Sequence, residues 1–425
     1  MRNSKPVFLS AICFILAAFG SAKGQTVTTV FERSDAQSSG MTKKLEAEVG
    51  WKFGYRIPSL LVTKKGTVLA FADRRKVGIG TRKDGAKLPD TGIPTDVVLR
   101  CSLDSSKTWQ MEQILFPAEN CNYHGEMAVA DNKGGRIYKF ARRNPLSDGS
   151  QDGGTEGKSW RAGLTYKQTQ EKGYGDYFVY SDDDGQNWSS PQPVDLPYPD
   201  DALNCSLCNG VHGIQFEGGR MLILGKYTLA SSKGKTESYT QVFCSDDGGK
   251  TWKKGFALKP SGSNLEVVMA KVDEHTVLIN HRPSGGKKDA DSTRNAYLIG
   301  KDGEELINSY ENRFYAAVCH AGLTSQLGEK TPYPLFLTAP SVSLTANNKE
   351  LPRQNLTLLA SRDGGDSWTR EMVVDSGISS YSDLQFTRDG ALLCLYEAGE
   401  QSKYIKCWRL EAADDGALRL SLRDN

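Results

Sequence analysis

One eight-residue block occurs four times along this chain and constrains its fold more than any other feature. It reads SLDSSKTW at 102–109, SDDDGQNW at 181–188, SDDGGKTW at 245–252 and SRDGGDSW at 361–368. Each copy opens with Ser, carries Asp two residues on and closes with Trp; Gly stands fifth in three of them. Asp and Ser side chains bond nearby backbone N–H groups and Gly takes a positive φ, so the block reads as a hairpin turn. The Trp ring is expected to pack beneath it. A hairpin turn repeated at a distance points to a repeat architecture.

Two short apolar runs, bounded by turn formers, recur in the same rhythm. They pair as GTVLAFAD (66–73) with DVVLRCS (96–102), GRIYKFAR (135–142) with DYFVYSD (176–182), and GRMLILGKY (219–227) with YTQVFCSD (239–246). The series continues with HTVLINHR (275–282) and AYLIGKD (296–302), LFLTAP (335–340) and LTLLASRD (356–363), and ALLCLYEA (391–398) and YIKCWRL (404–410). Their β-branched and aromatic content makes each a strand. Six units, stepping by roughly fifty-five to eighty-five residues, predict an all-β, six-bladed β-propeller. The fourth unit keeps a degenerate turn (Gly300, Lys301, Asp302, Gly303) and the sixth has lost it. Residues 25–34 are read as a strand closing the last blade onto the first. A flat β-sandwich leaves the recurring turn unexplained.

Residues 1–24 have a basic start, an apolar stretch from Val7 to Phe19 and small residues at Gly20, Ser21 and Ala22, the pattern of a cleaved secretory signal. Cleavage near 22–24 would release a secreted or periplasmic protein, a single propeller over 25–425 with an N-terminal arm at 25–45. No other apolar stretch approaches the length of a membrane span. A net charge of +2 gives no support for nucleic acid as a partner. Cys101 and Cys244 stand just before two of the blocks and read as buried strand thiols. Cys205 and Cys208 form a lone CxxC without a second ligand pair, so it reads as a local disulfide or two thiols and not as a metal site.

A propeller gathers loops from every blade at one mouth of its channel, so the residues of interest are polar side chains at strand ends. Arg56 lies in Tyr55-Arg56-Ile57-Pro58, Arg282 closes Asn280-His281-Arg282, and Arg353 opens Arg353-Gln354-Asn355-Leu356. This arrangement resembles the sialidases (exo-α-neuraminidases) of the bacterial and animal type. The shared features are the Arg-Ile-Pro motif, the Ser-x-Asp-x-Gly-x-Thr-Trp boxes and single charged residues at set places between them, from about 55 to 399.

The resemblance implies that Arg56, Arg282 and Arg353 clamp a sugar carboxylate. A guanidinium fork suits that task, being planar, bidentate and permanently charged. It implies Tyr381, in Ser380-Tyr381-Ser382-Asp383, as nucleophile and Glu266 as the partner that takes its proton, since a phenol with pKa near ~10 needs a base at neutral pH. A neutral phenol also avoids the repulsion a carboxylate nucleophile would meet from the substrate's own carboxylate; Tyr-nucleophile sialidases are a known exception among glycosidases. Asp90 is implied as general acid/base, with Asp96 as its competitor. Glu397 is implied as the brace of Arg56. Arg75 and Asp73 are read as residues at the rim or just behind it, Arg75 toward the substrate and Asp73 supporting it.

The implied activity is retaining hydrolysis of terminal α-linked sialic acids on glycoproteins, mucins, glycolipids and oligosaccharides, by a monomer without metal or organic cofactor. A trans-sialidase, or a sialic-acid-binding propeller without turnover, is the alternative. The Asp residues of the turn blocks (Asp104, Asp183, Asp247, Asp363) are read as structural.

Overall fold

A computed structural model describes residues 24–34, 39–50, 52–76, 93–119, 121–146, 163–208, 212–230, 236–259, 266–283, 293–313, 317–328, 331–341 and 353–412. The signal read at 1–24, all but Gly24, and the candidate acid Asp90 lie outside these residues.

The chain is an all-β propeller. An N-terminal strand β1 (Gln25–Glu32) is followed by a ten-residue helix, α1 (Gly40–Val49), whose first turn is capped by the Ser39 side chain. The first sheet holds β2 (Phe53–Val62), β3 (Val68–Lys76), β4 (Thr95–Ser102) and β5 (Gln113–Phe116) in that order. The second holds β6 (Cys121–Ala130), β7 (Ile137–Pro145), β8 (Gly175–Ser181) and β9 (Gln192–Pro193), with α2 (Tyr166–Glu171) in the β7–β8 connection. In the third, β10 (Leu203–Leu207) and β11 (Ile214–Gln215) both pair with β12 (Met221–Ala230), and β13 (Thr236–Ser245) and β14 (Lys253–Leu258) follow. The fourth comprises β15 (Val267–Lys271), β16 (Thr276–His281), β17 (Thr293–Gly300) and β18 (Leu306–Arg313). The last sheet has seven strands: β19 (Gly322–Ser325), β20 (Leu335–Ser341), β21 (Gln354–Ser361), β22 (Thr369–Phe386), β23 (Leu392–Ala398) and β24 (Tyr404–Leu410), with β1 added outside β24.

Two expectations shift here. Where six separate sheets are predicted, hydrogen bonding joins the last two through β22, an 18-residue strand. Its first part, from Thr369 to Ile378, pairs with β21, and its second, from Ser379 to Phe386, with β23. The runs read as first strands are also second strands. β3, β7, β12, β16, β20 and β23 each have a further strand inside them, lining the channel. Most of those inner strands carry polar residues such as Arg56, His124, Glu126 and Asp383, or are bulged or broken, which weakens their apolar signature; β15 (VVMAK) is regular and apolar. They touch in cyclic order, β2 to β6, β11, β15, β19, the second part of β22, and back to β2.

The turn blocks have a common geometry. In each, the Ser hydroxyl donates to the Asp and accepts from the fifth residue's N–H: Ser245 Oγ to Asp247 Oδ1 at 2.8 Å and Gly249 N to Ser245 Oγ at 2.9 Å are typical. The fifth residue has a positive φ in all four copies, Ser106 at 74°, Gly185 and Gly249 at 85° and Gly365 at 97°. Each docks on the preceding sheet. A Cβ on Gly185, Gly249 or Gly365 would lie 2.8, 2.7 or 2.5 Å from Leu69, Tyr138 or Leu278. The first block meets the last sheet instead, where Arg409 donates to the Ser105 carbonyl at 2.8 Å and Trp109 to Thr28 Oγ1 at 3.1 Å. Trp252 is buried, while Trp109, Trp188 and Trp368 are half-buried.

Cys101 and Cys244 are buried in their strands, and Cys205 and Cys208 are buried as well, with burial raising the Cys208 thiol to about 12. Among the described residues no helix is long and apolar enough to cross a membrane.

Candidate active site

Tyr381 sits in the middle of β22, where that strand passes from β21 to β23, and not in a loop ahead of a strand as its Ser-rich neighbourhood suggests. It is 7% exposed. Its hydroxyl donates to Glu266 Oε1 at 2.6 Å and accepts from Arg282 Nη1 at 3.0 Å. The other carboxylate oxygen of Glu266 accepts from the same Arg282 nitrogen at 2.6 Å. Glu266 precedes β15 and Arg282 follows β16; Arg282 N–H donates to the Glu266 carbonyl at 2.8 Å, so the hairpin brings the pair together.

The other two arginines converge on the same phenol. The guanidinium carbon of Arg56 lies 5.6 Å from the ring centroid, and that of Arg353 lies 5.9 Å away. Arg56 is inside β2, one residue before a bulge at which Ile57 takes φ = 55°. That conformation is strained for a β-branched residue. Glu397 on β23 offsets the strain, one oxygen accepting from Arg56 Nε at 2.7 Å and from Ile57 N–H at 2.9 Å. The Ile57 side chain packs with Ala317, Cys319 and Tyr381, so the same bulge that aims Arg56 outward presses an apolar wedge on the phenol. Arg353 stands beside a second bulge, with Asn355 at φ = 55°. Bulges of this kind re-aim side chains next to functional sites.

Charge does not balance here. Arg56 has Glu397 and Arg282 has Glu266. The described partners of Arg353 are neutral oxygens, Ser380 Oγ at 3.0 Å and the Val318 carbonyl at 2.8 Å. Among the described residues three guanidinium groups face two carboxylates, which suits an anionic ligand. Burial, and then the adjacent Glu266 carboxylate, push the Tyr381 phenol well above its ordinary value, against the pull of Arg282. Burial alone would raise Glu266, but Arg282 and the Tyr381 hydroxyl outweigh it and hold the carboxyl below the ordinary range. The resting pair is therefore a neutral phenol bonded to a carboxylate, the state from which a proton can pass to Glu266 as the phenol oxygen attacks.

Asp96 is drawn away from this chemistry. It lies in β4, accepts from Arg74 Nη2 at 2.7 Å and from Ala118 N–H at 2.7 Å, and is buried. Asp73 and Arg75 lie behind the rim, at 0% and 9% exposed. Asp73 accepts from Gly125 N–H at 2.7 Å and from Arg75 at 3.1 Å, and lies 3.4 Å from His124 Nδ1. Burial opposes its ionisation, but His124 and Arg75 outweigh that and lower it. It is a buried anchor between the first two sheets.

Sequence reasoning passed over His320, stacked on Tyr381, and Arg294 behind it. Neither lies in a motif. It also passed over His212, whose Nδ1 is 3.0 Å from Asp383 Oδ1 in the channel. A cavity of about 1080 Å³ among the described residues is lined by none of Tyr381, Glu266 and the three arginines. It opens where the inner strands end, between Thr63, Asn132, Gln215, Lys271, Gln326 and Arg388. Tyr381 and its partners stand where those strands begin.

No family model matches the chain. It is similar to curated sialidases. With that of Micromonospora viridifaciens it is 26% identical over 365 residues, which are 82% of this chain and 50% of that protein. With that of Bacteroides fragilis it is 24% identical over 361 residues, 81% of this chain and 60% of that protein. The chain thus spans half to three-fifths of the length of these relatives. Among solved structures, the Hadza microbial sialidase Hz136 superposes with a TM-score of 0.63 at 20% identity, covering 84% of this chain and 66% of that one. The intramolecular trans-sialidase of Ruminococcus gnavus superposes with a TM-score of 0.60 at 16% identity, covering 86% and 95%. The likeness to curated sialidases supports the family read from the sequence, and the solved structures support the propeller fold.

Proposed function

We propose that this chain is a secreted exo-α-sialidase that hydrolyses terminal α-linked sialic acids with a retaining mechanism. The observation that carries the reading is one phenol, Tyr381, bonded to a carboxylate at 2.6 Å and surrounded by three arginines, one of them without a carboxylate partner among the described residues. Arg56, Arg282 and Arg353 bind the sugar carboxylate. Tyr381 attacks the anomeric carbon as its proton passes to Glu266, and the leaving oxygen takes a proton from Asp90. Water then releases the sugar, with Asp90 acting as base and the phenol recovering its proton from Glu266. No step calls on a metal or organic cofactor. Arg75 adds a further contact to the substrate, with Asp73 bonded to it from behind.

The fold proposed with this function has six blades, counting the seven-stranded sheet as two that share β22. The cyclic contact of the inner strands supports the count. Secretion after cleavage near 22–24, sialylated glycans as substrates and a monomeric state belong to the same proposal.

The test is release of a fluorogenic alcohol from an α-sialoside near pH 6, parent beside Tyr381→Phe. Tyr381-dependent turnover supports the reading. A variant within about tenfold of the parent, a barrier change of only ~1.4 kcal/mol, removes Tyr381 as nucleophile. Binding of free sialic acid by a parent without turnover favours a lectin-like propeller. The likeness to the Ruminococcus gnavus protein makes transfer the second enzymatic reading. The same covalent intermediate would serve it, and product analysis separates free sugar from a transferred or internally closed one.

A further inference from the structure

Below Tyr381 lie two residues to which this mechanism gives no part. His320 is 1% exposed, and its ring is stacked on the Tyr381 phenol with centroids 5.1 Å apart and planes 20° from parallel. Among the described residues neither ring nitrogen has a hydrogen-bond partner. A buried imidazole in that position forfeits the hydrogen bonds it makes in water, so what remains to favour it is the flat face it offers the phenol. Arg294, on β17, is also 1% exposed. Its Nε donates to Asn280 Oδ1 at 2.6 Å and its Nη1 to the Cys319 carbonyl at 3.1 Å. These acceptors are neutral, which is costly for a buried guanidinium. The second bond fixes the backbone immediately before His320.

We infer that His320 is a positioning residue for Tyr381, a flat support under the phenol that Arg294 fixes from behind and that presents the hydroxyl to Glu266 in one orientation. The inference rests on Tyr381 being the nucleophile. The charged side chains around His320 are Glu266 before β15, Arg282 after β16, Arg294 on β17 and Asp383 on β22. Burial keeps the imidazole neutral, below its ordinary value; Glu266 and Asp383 pull the other way, and Arg294 and Arg282 reinforce the burial. Neutrality matters to the chemistry. An imidazolium here would attract Glu266, stabilise its carboxylate and weaken it as proton acceptor.

Two readouts test this, one kinetic and one independent of turnover. With an α-sialoside, His320→Ala is expected to lose at least about tenfold in kcat while KM stays within about twofold, because the arginine clamp is intact. His320→Phe, which restores a neutral ring, is expected to recover most of that loss. In a nitrogen-15 imidazole titration by NMR, the His320 signal, identified by its disappearance in His320→Phe, is expected to titrate below the ordinary imidazole range. In Arg294→Met its midpoint should rise by about one unit or more. An unchanged kcat in His320→Ala, a Phe variant no better than Ala, or a parent His320 titrating near ~6.5 each overturns the inference. If Arg294→Met does not fold, the parent titration and the His320 pair decide. A parent without turnover overturns the sialidase reading and the positioning role together. An active parent with an indifferent His320→Ala overturns the positioning role alone.

Discussion

The turn blocks and the cluster around Tyr381 are both dense in hydrogen-bonded polar residues, but they are assembled over different distances. In a block, Ser245, Asp247, Gly249 and Thr251 satisfy one another within four positions of the chain. Around Tyr381, the bonds join residues 16, 99, 115 and 341 positions apart. The electrostatics differ in the same sense. Against slight burial, the hydrogen bonds that Thr108 and Ser102 make to Asp104 hold its carboxyl at about 2, in the open. The Tyr381 phenol is buried and raised. A local, solvated and fully partnered motif serves to dock one sheet on the last. A long-range, buried and positively charged cluster is what a fold must keep assembled for chemistry. The comparison holds if changes in the cluster alter activity without altering stability, and changes in the blocks do the reverse.

The largest effect expected is on the cluster. Tyr381→Phe should lower kcat by at least about a thousandfold, equivalent to about 4 kcal/mol of barrier, as removal of a nucleophile does. Thermal unfolding should shift by no more than a few degrees, since Glu266 keeps its bond to Arg282. A large fall in Tm would mean that the phenol is there to hold β22 in place. The matching change in a block is Gly249→Ala. It puts a side chain at φ = 85°, with its Cβ 2.7 Å from the Tyr138 ring. Backbone strain of about 1–2 kcal/mol and overpacking of about 1–3 should together cost about 3 kcal/mol of stability. The specific activity of the folded fraction should be unchanged; a fall in kcat would tie the outer turns to the site.

This contrast also decides how much could be read in advance. The blocks are legible because their chemistry is complete within eight residues, so each copy announces a turn and four copies announce a propeller. The arginines and Tyr381 were legible through short motifs, Arg-Ile-Pro above all, and the structure brings Arg56, Arg282, Arg353, Glu266, Glu397 and Tyr381 into contact around one phenol. What carried the least signal was the inner strand, β15 apart. β2 hides its period behind the Ile57 bulge, β10 and β11 are two pieces, and β22 runs unbroken through what its Gly and Ser residues suggest is a loop. His320 and Arg294 were invisible for a related reason. Each acts through a neighbour brought close only by folding, and nothing beside them in the chain is unusual. Asp73 and Arg75 were visible but their depth was not, because a charged pair at a strand end shows its burial only once a second sheet covers it.

The comparison extends to pH. Glu126, on the inner strand β6, is 0% exposed and among the described residues neither carboxylate oxygen has a hydrogen-bond partner; Arg142 approaches to 3.5 Å. Burial raises its carboxyl to about 7 from the ordinary 4.5, Arg142 opposing. The folded state then holds a proton that the unfolded state has lost, so this group's contribution is full below about pH 4.5 and falls as pH rises to about 7. The loss amounts to about 3 kcal/mol. Glu126→Gln should therefore flatten that decline, with denaturant midpoints at pH 5 and pH 8 closer together than in the parent. The block residue Asp104 acts in the opposite direction: its stabilising bonds are present above the unfolded value and lost as pH falls toward about 2. If Glu126→Gln leaves the pH dependence untouched, a proton-bearing carboxyl inside the second sheet is excluded.

The smallest effect is the most discriminating, because it asks whether a block can be improved without the site noticing. Ser106 is the one fifth-position residue that is not Gly, and it is buried at φ = 74°. A side chain in that region costs about 1–2 kcal/mol of backbone strain, while Gly costs more chain entropy on folding, roughly 0.5–1 kcal/mol. Ser106→Gly removes the strain and adds the entropy, so the net gain should be under about 1 kcal/mol, a rise of a few degrees at most in Tm. Its N–H bond to Ser102 Oγ at 2.8 Å and its carbonyl contact with Thr28 involve backbone atoms only and survive the change. Activity should not move. A loss of stability would show that the Ser106 hydroxyl, which faces the Cys407 thiol across the closure of the ring, contributes more there than the strain takes away. The first block would then be a specialised joint between first and last sheets and not one copy among four.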